Sequence, residues 1–524
     1  MLGLMSACTD SFDDINTNKH QATDDMLETD NLKVGAFFTQ METRVVLFKD
    51  GIIPENGGSE SSDYQVAQNL TADAFAGYAG LTGGWSNSDY TGVYFWRRGW
   101  YDQMFTRGFS QVMPAWQSID KSSREMNLPI VGAIADIVKV EAMHRVTDMY
   151  GPIPYTAFGS GTLSSKYDTQ DVVYKKFFNE LDSAIDVLTP YAETGGKTMA
   201  DYDVVYEGDI ASWVRFANTL RLRLAMRVVY ADEALAKQEA EKSISNAIGV
   251  IESADQRAEL KHGRVNYFHP LYDIAYNFNA GEVRMSASMD SYMNGYNDPR
   301  LSAYFKPAAS DGKYHGVRLG VMNMDPSKYA GSGISNLNVN NSTTPIVWMT
   351  AAESYFLRAE GALRGWNMGG TAQHFYEEGV KMSFAENSAG DATAYLADDT
   401  SKPANYVDNT GDNNSTSALG TITIKWDESA SFEEKLERII TQKWLAIYPD
   451  GPEAWAEFRR TGYPKLFPVV ENHSNGTIST TEQVRRCPFP VNEYDTNPDG
   501  VQSGIKALGG LDNGGTKLWW DKKK

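Results

Sequence analysis

Aromatic side chains cluster in a polar stretch near residue 90, where they could stack on a flat ligand. Trp85, Tyr90, Tyr94 and Trp96 lie in or beside a loop rich in Gly, Ser, Asn and Asp. No apolar period accompanies them that would bury them on one face of a helix or strand. Indole and phenol rings offer an apolar face beside a polar edge. We therefore predict a stacking surface at these four residues, although burial is the commoner fate of aromatic side chains.

The aromatic stretch changes character at residue 101. From there, apolar residues follow one another at helical spacing: Tyr101, Phe105, Phe109, Val112, Trp116 and Ile119. Steps of three and four residues are typical of one face of a helix. We therefore expect a core-forming helix here, and we expect Trp100 to join that core one turn after Trp96.

A second polar aromatic group occurs in the segment "IAYNFNAGE". Tyr276, Asn277 and Asn279 combine a phenol ring with two amide groups, which can donate and accept hydrogen bonds. We predict that they also contact a ligand. The alternative is a turn in which the amides bond to the backbone.

The sequence lacks the motifs of catalysis and metal binding. Its seven histidines are scattered, and neither HExxH nor GxSxG occurs. His374 and Glu378 would share a helical face, but such a pair is usually a surface contact. We expect a binding protein without catalytic residues, metal or cofactor. Because the chain has 68 acidic residues, a glycoside hydrolase with an unrecognised carboxylate pair remains the less favoured alternative.

The two cysteines, Cys8 and Cys487, are too few for a disulfide framework or a CxxC zinc site. Cys8 follows "LGLMSA", which resembles the end of a bacterial lipoprotein signal peptide, so we predict that Cys8 carries lipid. Residues 1–24 would then comprise a signal-peptide remnant, the anchor and a tether. The alternative is an ordinary cysteine near a frayed end. We expect Cys487, in "RRCPFP", to be a structural thiol.

Composition and charge limit the partners of the protein. The net charge of -20 and pI near 4.9 argue against nucleic acid, because phosphate binding needs an excess of Lys and Arg. No apolar run is long enough to cross a bilayer as a helix. An acidic protein can, however, bind a neutral ligand without an electrostatic penalty.

Helical periodicity dominates the rest of the sequence. We expect one helix to end at Gly151, another to begin at Asp168 or Thr169 and to close at Pro190, and no regular series of strands. Long stretches rich in Gly, Asn, Ser and Asp separate the helices, at 50–95, 262–345, 388–428 and 467–516. The sequence therefore predicts a mostly α fold with long irregular loops, in one large domain over residues 25–524.

Several large side chains on the predicted helices have a structural interpretation. Four tryptophans fall on helical stripes and are expected in the core or on a surface facing a partner: Trp213, Trp348, Trp444 and Trp455. Arg459 and Arg460, in "FRRTGYP", are expected to pair with nearby acidic residues.

Three stretches resemble a known family. They are "VTDMYGPIPYTAF" at 146–158, "SWVRFANTLRLRLAMR" at 212–227, and "IITQKWLAIYPDGPEAWAEFRRTGYPKL" followed by "VRRCPFPVNEYDTN" near the C-terminus. With the lipoprotein-like N-terminus, they look like the SusD/RagB family of outer-membrane lipoproteins, in particular its SusD-like 2 branch. The resemblance covers nearly the whole chain in the expected order.

The resemblance implies a SusD-like α-helical fold with tetratricopeptide-type helix pairs beneath irregular loops. It implies a lipid-anchored protein of the outer membrane that faces the cell exterior. There the protein would capture an oligosaccharide as the partner of a SusC-like TonB-dependent transporter. RagB-type members handle peptides, so peptide capture is the alternative. The family contributes no catalytic residue, and its ligand contacts vary between members, so the predicted contacts depend on the loop composition alone.

Overall fold

The computed structural model describes residues 32–48, 62–161, 165–260, 263–265, 267, 269–277, 281–322, 324–340 and 344–523. The predicted tether and lipidation site at Cys8, and the predicted contact Asn279, lie outside these residues. Nearly all of the buried apolar side chains that are described belong to one continuous core. A small second cluster forms around Val317 and Tyr329.

Most of the regular structure is α-helical, as predicted. The α-helices are, in chain order, α1 Leu32–Glu42, α2 Ser62–Tyr64, α3 Gln103–Arg107, α4 Met113–Glu125, α5 Pro129–Tyr150, α6 Gln170–Ala192, α7 Ile210–Val228, α8 Glu233–Ser245, α9 Pro270–Tyr276, α10 Ala287–Gly295, α11 Leu301–Tyr304, α12 Pro326–Tyr329, α13 Ala351–Leu363, α14 Ala372–Glu386, α15 Thr393–Leu396, α16 Phe432–Ala446, α17 Gly451–Thr461, α18 Val491–Thr496 and α19 Pro498–Leu508.

Two π-helices, Gln65–Asp73 and Gly108–Val112, extend α2 and join α3 to α4. Short 3-10 helices occupy Gly84–Asn87, Thr91–Val93 and Ala254–Gln256. The strands are short: β1 Ala79–Leu81, β2 Ala258–Leu260, β3 Val283–Met285, β4 Phe305–Lys306, β5 Asn336–Leu337 and β6 Ile346–Met349. They form three antiparallel pairs, β1–β3, β2–β6 and β4–β5, and no larger sheet among the described residues.

The long helices pack in succession. Helix α4 packs on α5, α5 on α6, α6 on α7 and α7 on α8, while α13 packs on α14 and on α16. This arrangement confirms the predicted helical fold with tetratricopeptide-type pairs. The predicted irregular stretches contain more structure than expected, because a π-helix lies within 50–95 and α18 and α19 lie within 467–516.

The predicted ends of two helices can be compared with the structure. Helix α5 stops at Tyr150 because Gly151 takes a positive φ of 87° that disfavours other residues. Helix α6 begins after Thr169 as expected, but its predicted end at Pro190 is wrong. The helix continues to Ala192, since near the C-terminus the proline removes a single backbone hydrogen bond.

The three family-like stretches meet in a buried network of ions. Arg227, from the second stretch, pairs with Asp148 of the first at 3.2 Å and with Glu457 of the third at 2.8 Å. Arg223, one turn earlier, pairs with Glu353 at 2.6 Å. Burying a charge is tolerated only when partners and hydrogen bonds compensate for lost hydration. The stretches therefore form the scaffold of the fold.

The adjacent residues Arg459 and Arg460 have different kinds of partner. Arg460 pairs with Glu360 at 2.6 Å and with Glu457 at 2.5 Å, which confirms the expected acidic partners. For Arg459 that expectation is wrong. Its guanidinium donates to the backbone carbonyls of Asp148 and Arg485 and stacks 3.6 Å from the Trp455 ring centroid.

The structural interpretation of the tryptophans and of the second cysteine is confirmed. All four tryptophans are at most 1% exposed: Trp213, Trp348, Trp444 and Trp455. The predicted helical position is wrong for Trp348, which lies on strand β6. Cys487 is a free, fully buried thiol, and burial raises its pKa to about 12. A thiol in this state stays protonated and unreactive at neutral pH.

Candidate functional site

The two predicted ligand-binding groups lie beyond the same end of the β1–β3 pair. In this antiparallel pair, Leu81 at the end of β1 faces Val283 at the start of β3. Trp85 follows β1 closely, and Tyr276 and Asn277 precede β3 closely. Both groups therefore emerge from the same end of the pair, although they are far apart in sequence.

Trp85 is held in one orientation while part of its surface stays open. Its indole Nε1–H donates to Glu282 Oε1 at 2.8 Å, and the side chain is half-buried. Glu282 is 1% exposed and also accepts a hydrogen bond from the Gln65 amide. Gly83, two residues before Trp85, leaves room for the ring, because a Cβ there would collide with the indole. A ring fixed in this way loses little conformational entropy when a ligand stacks on it.

Trp100 extends the aromatic surface beyond Trp85. The two rings meet edge to face with centroids 5.8 Å apart, and Trp100 is also half-buried. The guanidinium of Arg97 lies 4.6 Å from the Trp100 ring centroid and donates to Ser88 Oγ at 3.1 Å. The expectation that Trp100 joins the helical core is wrong, since α3 begins only at Gln103. In the sequence, the position of Trp100 in a glycine-containing segment before the helix already indicated that it lies outside the helical core.

Tyr90 and Tyr94 do not contribute to a stacking surface, so these two predictions are wrong. The side chains are 0% and 2% exposed, and burial raises the pKa of each phenol well above its usual value. Tyr90 supports the ring of Trp85 from inside, with centroids 4.9 Å apart. Tyr94 packs against Phe75 in the core. Segments distant in sequence cover both rings, which a local pattern cannot reveal.

Trp96 lies at the edge of the core and is poorly placed to stack on a ligand. It is half-buried and packs edge to face against Phe75 and Tyr101, at centroid distances of 6.1 Å and 5.3 Å. Gly514 lies so close to the indole that a Cβ there would meet it at 2.6 Å. Contacts on several sides leave Trp96 less available than Trp85 or Trp100.

The second predicted group is open to solvent at Asn277 and half-buried at Tyr276. The Tyr276 hydroxyl donates to the Leu337 carbonyl, which fixes the ring. Tyr272 packs on that ring with centroids 4.9 Å apart, and Lys306 Nζ lies 4.6 Å from its centroid. The structure thus provides a second fixed aromatic ring beside an exposed amide.

A separate cleft of about 250 Å³ lies beneath β6 and the turn after α16, lined by Trp348, Tyr304 and Tyr448. Its carboxylates already have partners in the protein. Asp450 pairs with Arg145 at 2.8 Å, and Glu386 accepts from the N–H groups of Ala351 and Ala352. None of the predicted contacts lines this cleft.

The chemistry of the open surface is that of recognition. Glu282, its buried carboxylate, is occupied by Trp85 and Gln65 and is not presented to a reacting bond. No group of three or more potential metal ligands occurs in the part of the chain that the structure describes. Half-buried indoles, a guanidinium and an exposed amide can instead stack on and hydrogen-bond to a polar, neutral molecule.

Comparison with known proteins identifies the family. The family model described as SusD-like, SusD and RagB outer membrane lipoprotein, matches residues 14–521. The chain belongs to the SusD/RagB family. No curated protein matches it. Among the described residues, no helix is both long enough and apolar enough to cross a membrane.

Solved SusD-type structures share the fold over almost the whole chain. A chitin-binding SusD homologue from Flavobacterium johnsoniae is 40% identical, with a TM-score of 0.88, over 94% of this chain and 99% of the other. A SusD homologue from Bacteroides uniformis is 39% identical, with a TM-score of 0.86 over the same shares. A structure described as a chitin-binding protein is 26% identical, with a TM-score of 0.74, over 94% and 100%.

Proposed function

We propose that this SusD/RagB protein binds a neutral oligosaccharide at the cell surface and delivers it to a SusC-like TonB-dependent transporter. The observation that carries the proposal is the Trp85–Trp100 pair, two half-buried indoles in edge-to-face contact, of which Trp85 is held in one orientation by Glu282. Sugars present C–H faces that stack on such rings and hydroxyl groups that bond to amides and guanidinium groups.

A chitin-type oligosaccharide is the first ligand to test. Two structurally similar proteins, one of them 40% identical, are described as chitin-binding. N-acetylglucosamine chains are uncharged, so the net charge of -20 imposes no penalty on their binding. Their acetamido groups add a donor and an acceptor that Asn277 and Arg97 can engage.

Lipid on Cys8 would tether this domain to the outer membrane, facing outward. Several acyl chains make a stable anchor, whereas a single chain binds a membrane marginally. Capture followed by transfer needs a partner that crosses the membrane, since no described helix of this chain does so. A SusC-like barrel is the partner that membership of the family favours.

The proposal predicts that Trp85→Ala weakens binding of chitohexaose about five- to tenfold, because a stacking contact is worth about 1–1.5 kcal/mol. Isothermal titration of purified protein with chitohexaose, cellohexaose and maltohexaose measures this loss. Phe432→Ala is the matched control. Phe432 is an aromatic residue of α16 that is 39% exposed and lies outside the Trp85–Trp100 surface.

Other outcomes distinguish the alternatives. Binding of tryptic casein peptides, with no response to any of the three sugars, would favour RagB-type peptide capture. Release of shorter products from labelled chitohexaose would establish a glycoside hydrolase. Co-purification of the tagged protein with a TonB-dependent transporter from outer membranes tests the delivery step, and its failure with intact glycan binding would restrict the function to capture.

A further inference from the structure

A continuous groove runs between α4, α5 and α6, on helices that do not form the Trp85 surface. One part is a cavity of about 530 Å³ that includes Trp116 and Phe158, and the other is a cavity of about 390 Å³ that includes Leu128 and Val187. The two parts share Asp120, Arg124, Asp136 and Ser183. The groove is therefore elongated, as a chain-like ligand requires.

Trp116 forms a fixed aromatic wall of this groove. The sequence pattern placed it on the apolar stripe of its helix, but the side chain is only half-buried. Its indole Nε1–H donates to Asp136 Oδ1 at 2.7 Å. The ammonium of Lys139 lies 3.5 Å from the ring centroid. With its edge bonded and an ammonium over the ring, Trp116 is preorganised in the same way as Trp85.

The buried ammonium is itself locked in place. Lys139 is 1% exposed and pairs with Asp136 at 3.1 Å and with Glu180 at 3.0 Å. The Tyr155 hydroxyl donates to the second oxygen of Glu180 at 2.5 Å. Such a network needs no ligand for its stability, so it supports the ring and leaves the groove open.

The charges that line the aromatic part of the groove balance. Three carboxylates and three cations contribute: Asp120, Asp136, Glu180, Arg124, Lys139 and Lys176. Their side chains offer planar acceptors and donors at the walls, and the exposed amide of Asn179 adds both. A balanced polar lining around an aromatic ring suits an uncharged, hydroxyl-rich ligand.

The walls fit the two common modes of peptide recognition poorly. An extended peptide needs unpaired backbone groups along a strand edge, whereas most of the wall residues lie on helices whose backbone groups bond within the helix. The loop residues Tyr155, Thr156 and Phe158 also line the groove, and their N–H groups have acceptors in the protein. A helical peptide needs an apolar floor, whereas Asp136 and Lys139 occupy the floor here.

We propose that this groove is a second oligosaccharide-binding site, in which a sugar ring stacks on Trp116 and its hydroxyl groups bond to Asn179, Asp136 and Arg124. The ligand class rests on the proposed function, but the groove shares no residue with the Trp85 surface. One long glycan chain held at both sites would bind with higher avidity than at either site alone.

Fluorine NMR of the full-length protein labelled with 5-fluorotryptophan reports on both sites at once. Trp116→Phe and Trp85→Phe assign the two resonances. Titration with chitohexaose is expected to shift both of them. A shift of Trp85 alone would overturn the second site and leave the proposed function intact. No shift of either resonance with chitohexaose, cellohexaose or maltohexaose would overturn both. A shift of Trp116 with tryptic casein peptides but with no sugar would overturn the ligand class.

Affinity measurements in a Trp85→Ala background provide the independent test. Further substitution by Trp116→Ala is expected to weaken the residual binding of chitohexaose about tenfold, and Trp116→Phe is expected to retain most of it. Asn179→Ala, an exposed change that does not disturb the fold, should also weaken it. Tyr191→Ala is the control, because Tyr191 is an exposed aromatic residue of the same helix α6 outside the groove. In the Trp85→Ala background, unchanged affinity after adding Asn179→Ala alone, and also after adding Trp116→Phe together with Asn179→Ala, would overturn the proposal.

Discussion

Trp85 and Tyr90 illustrate how the fate of an aromatic side chain in a loop is decided. Their rings touch, with centroids 4.9 Å apart, yet Trp85 is half-buried and Tyr90 is fully buried. The segment near residue 470 covers the inner ring, since His473 N–H donates to the Val93 carbonyl at 2.7 Å. Local composition is the same for both residues, so only the distant segment distinguishes them.

Glu282 is the residue on which the orientation of Trp85 depends. Glu282→Ala removes the acceptor of the indole N–H and of the Gln65 amide, and should weaken binding of chitohexaose about tenfold. Unsatisfied buried donors should also lower the free energy of unfolding by about 1–3 kcal/mol.

Glu282→Gln keeps an oxygen that can accept from Trp85, so it should retain most of the affinity. Isothermal titration and thermal unfolding of both variants measure the two effects. Equal affinity of Glu282→Ala and the wild type would show that the orientation of the indole does not depend on this carboxylate.

At the scale of the secondary-structure element, a carboxyl group at the end of one helix binds the start of another. Glu386, at the end of α14, accepts from the N–H groups of Ala351 and Ala352 at the start of α13. Burial raises its pKa from 4.5 to about 7, and the two backbone hydrogen bonds oppose this rise. The carboxyl therefore joins two packed helices and titrates near neutral pH.

This titration predicts how stability changes with pH. Between pH 4.5 and 7 the folded protein holds a proton on Glu386 that the unfolded chain has released. The contribution of Glu386 to the free energy of unfolding therefore falls as the pH rises and levels off once the pH is well above 7. Glu386→Gln removes this dependence, and should raise stability at pH 8 by about 3 kcal/mol while changing little at pH 4.

Urea unfolding of the wild type and of Glu386→Gln at pH 4, 6 and 8 measures the difference. Glu193→Gln is the control, because Glu193 is an exposed carboxylate. Parallel curves for the wild type and Glu386→Gln across this pH range would contradict the raised pKa.

At the scale of the whole molecule, the buried ions join helices that are far apart in sequence. Arg223 on α7 is 0% exposed and pairs with Glu353 on α13, while Lys443 on α16 pairs with Glu453 on α17 at 2.7 Å. Lys443 also lies 3.3 Å from Glu353, which joins the two pairs. The network therefore connects the successive helix pairs into one scaffold.

Breaking this network should be costly. Arg223→Met leaves Glu353 buried without its principal cation, and we expect a loss of about 3–5 kcal/mol in the free energy of unfolding. Lys237→Ala, which breaks an exposed pair with Glu241, should cost about 1 kcal/mol or less. Chemical unfolding measures both, and similar losses in the two variants would refute a structural role for the buried ions.

The sequence by itself determined the helices and the family. Apolar spacing fixes which face of a helix is buried, because that face repeats every three or four residues regardless of distant contacts. Hence Trp213, Trp444 and Trp455 were correctly placed on the buried faces of helices, whereas Trp348 is buried on strand β6. The three family-like stretches were recognised from local residues alone.

Only the tertiary structure decided which loop aromatics remain open. Irregular segments have no period, so their burial depends on which distant segments cover them. The pairing of β1 with β3 brought Trp85 beside Glu282, and Trp100 stays half-buried against the Trp85 ring, while other segments buried Tyr90 and Tyr94. Even on a helix, the neighbours decided the outcome at one position: Trp116 matches the core spacing, but α5 and α6 leave a groove beside it.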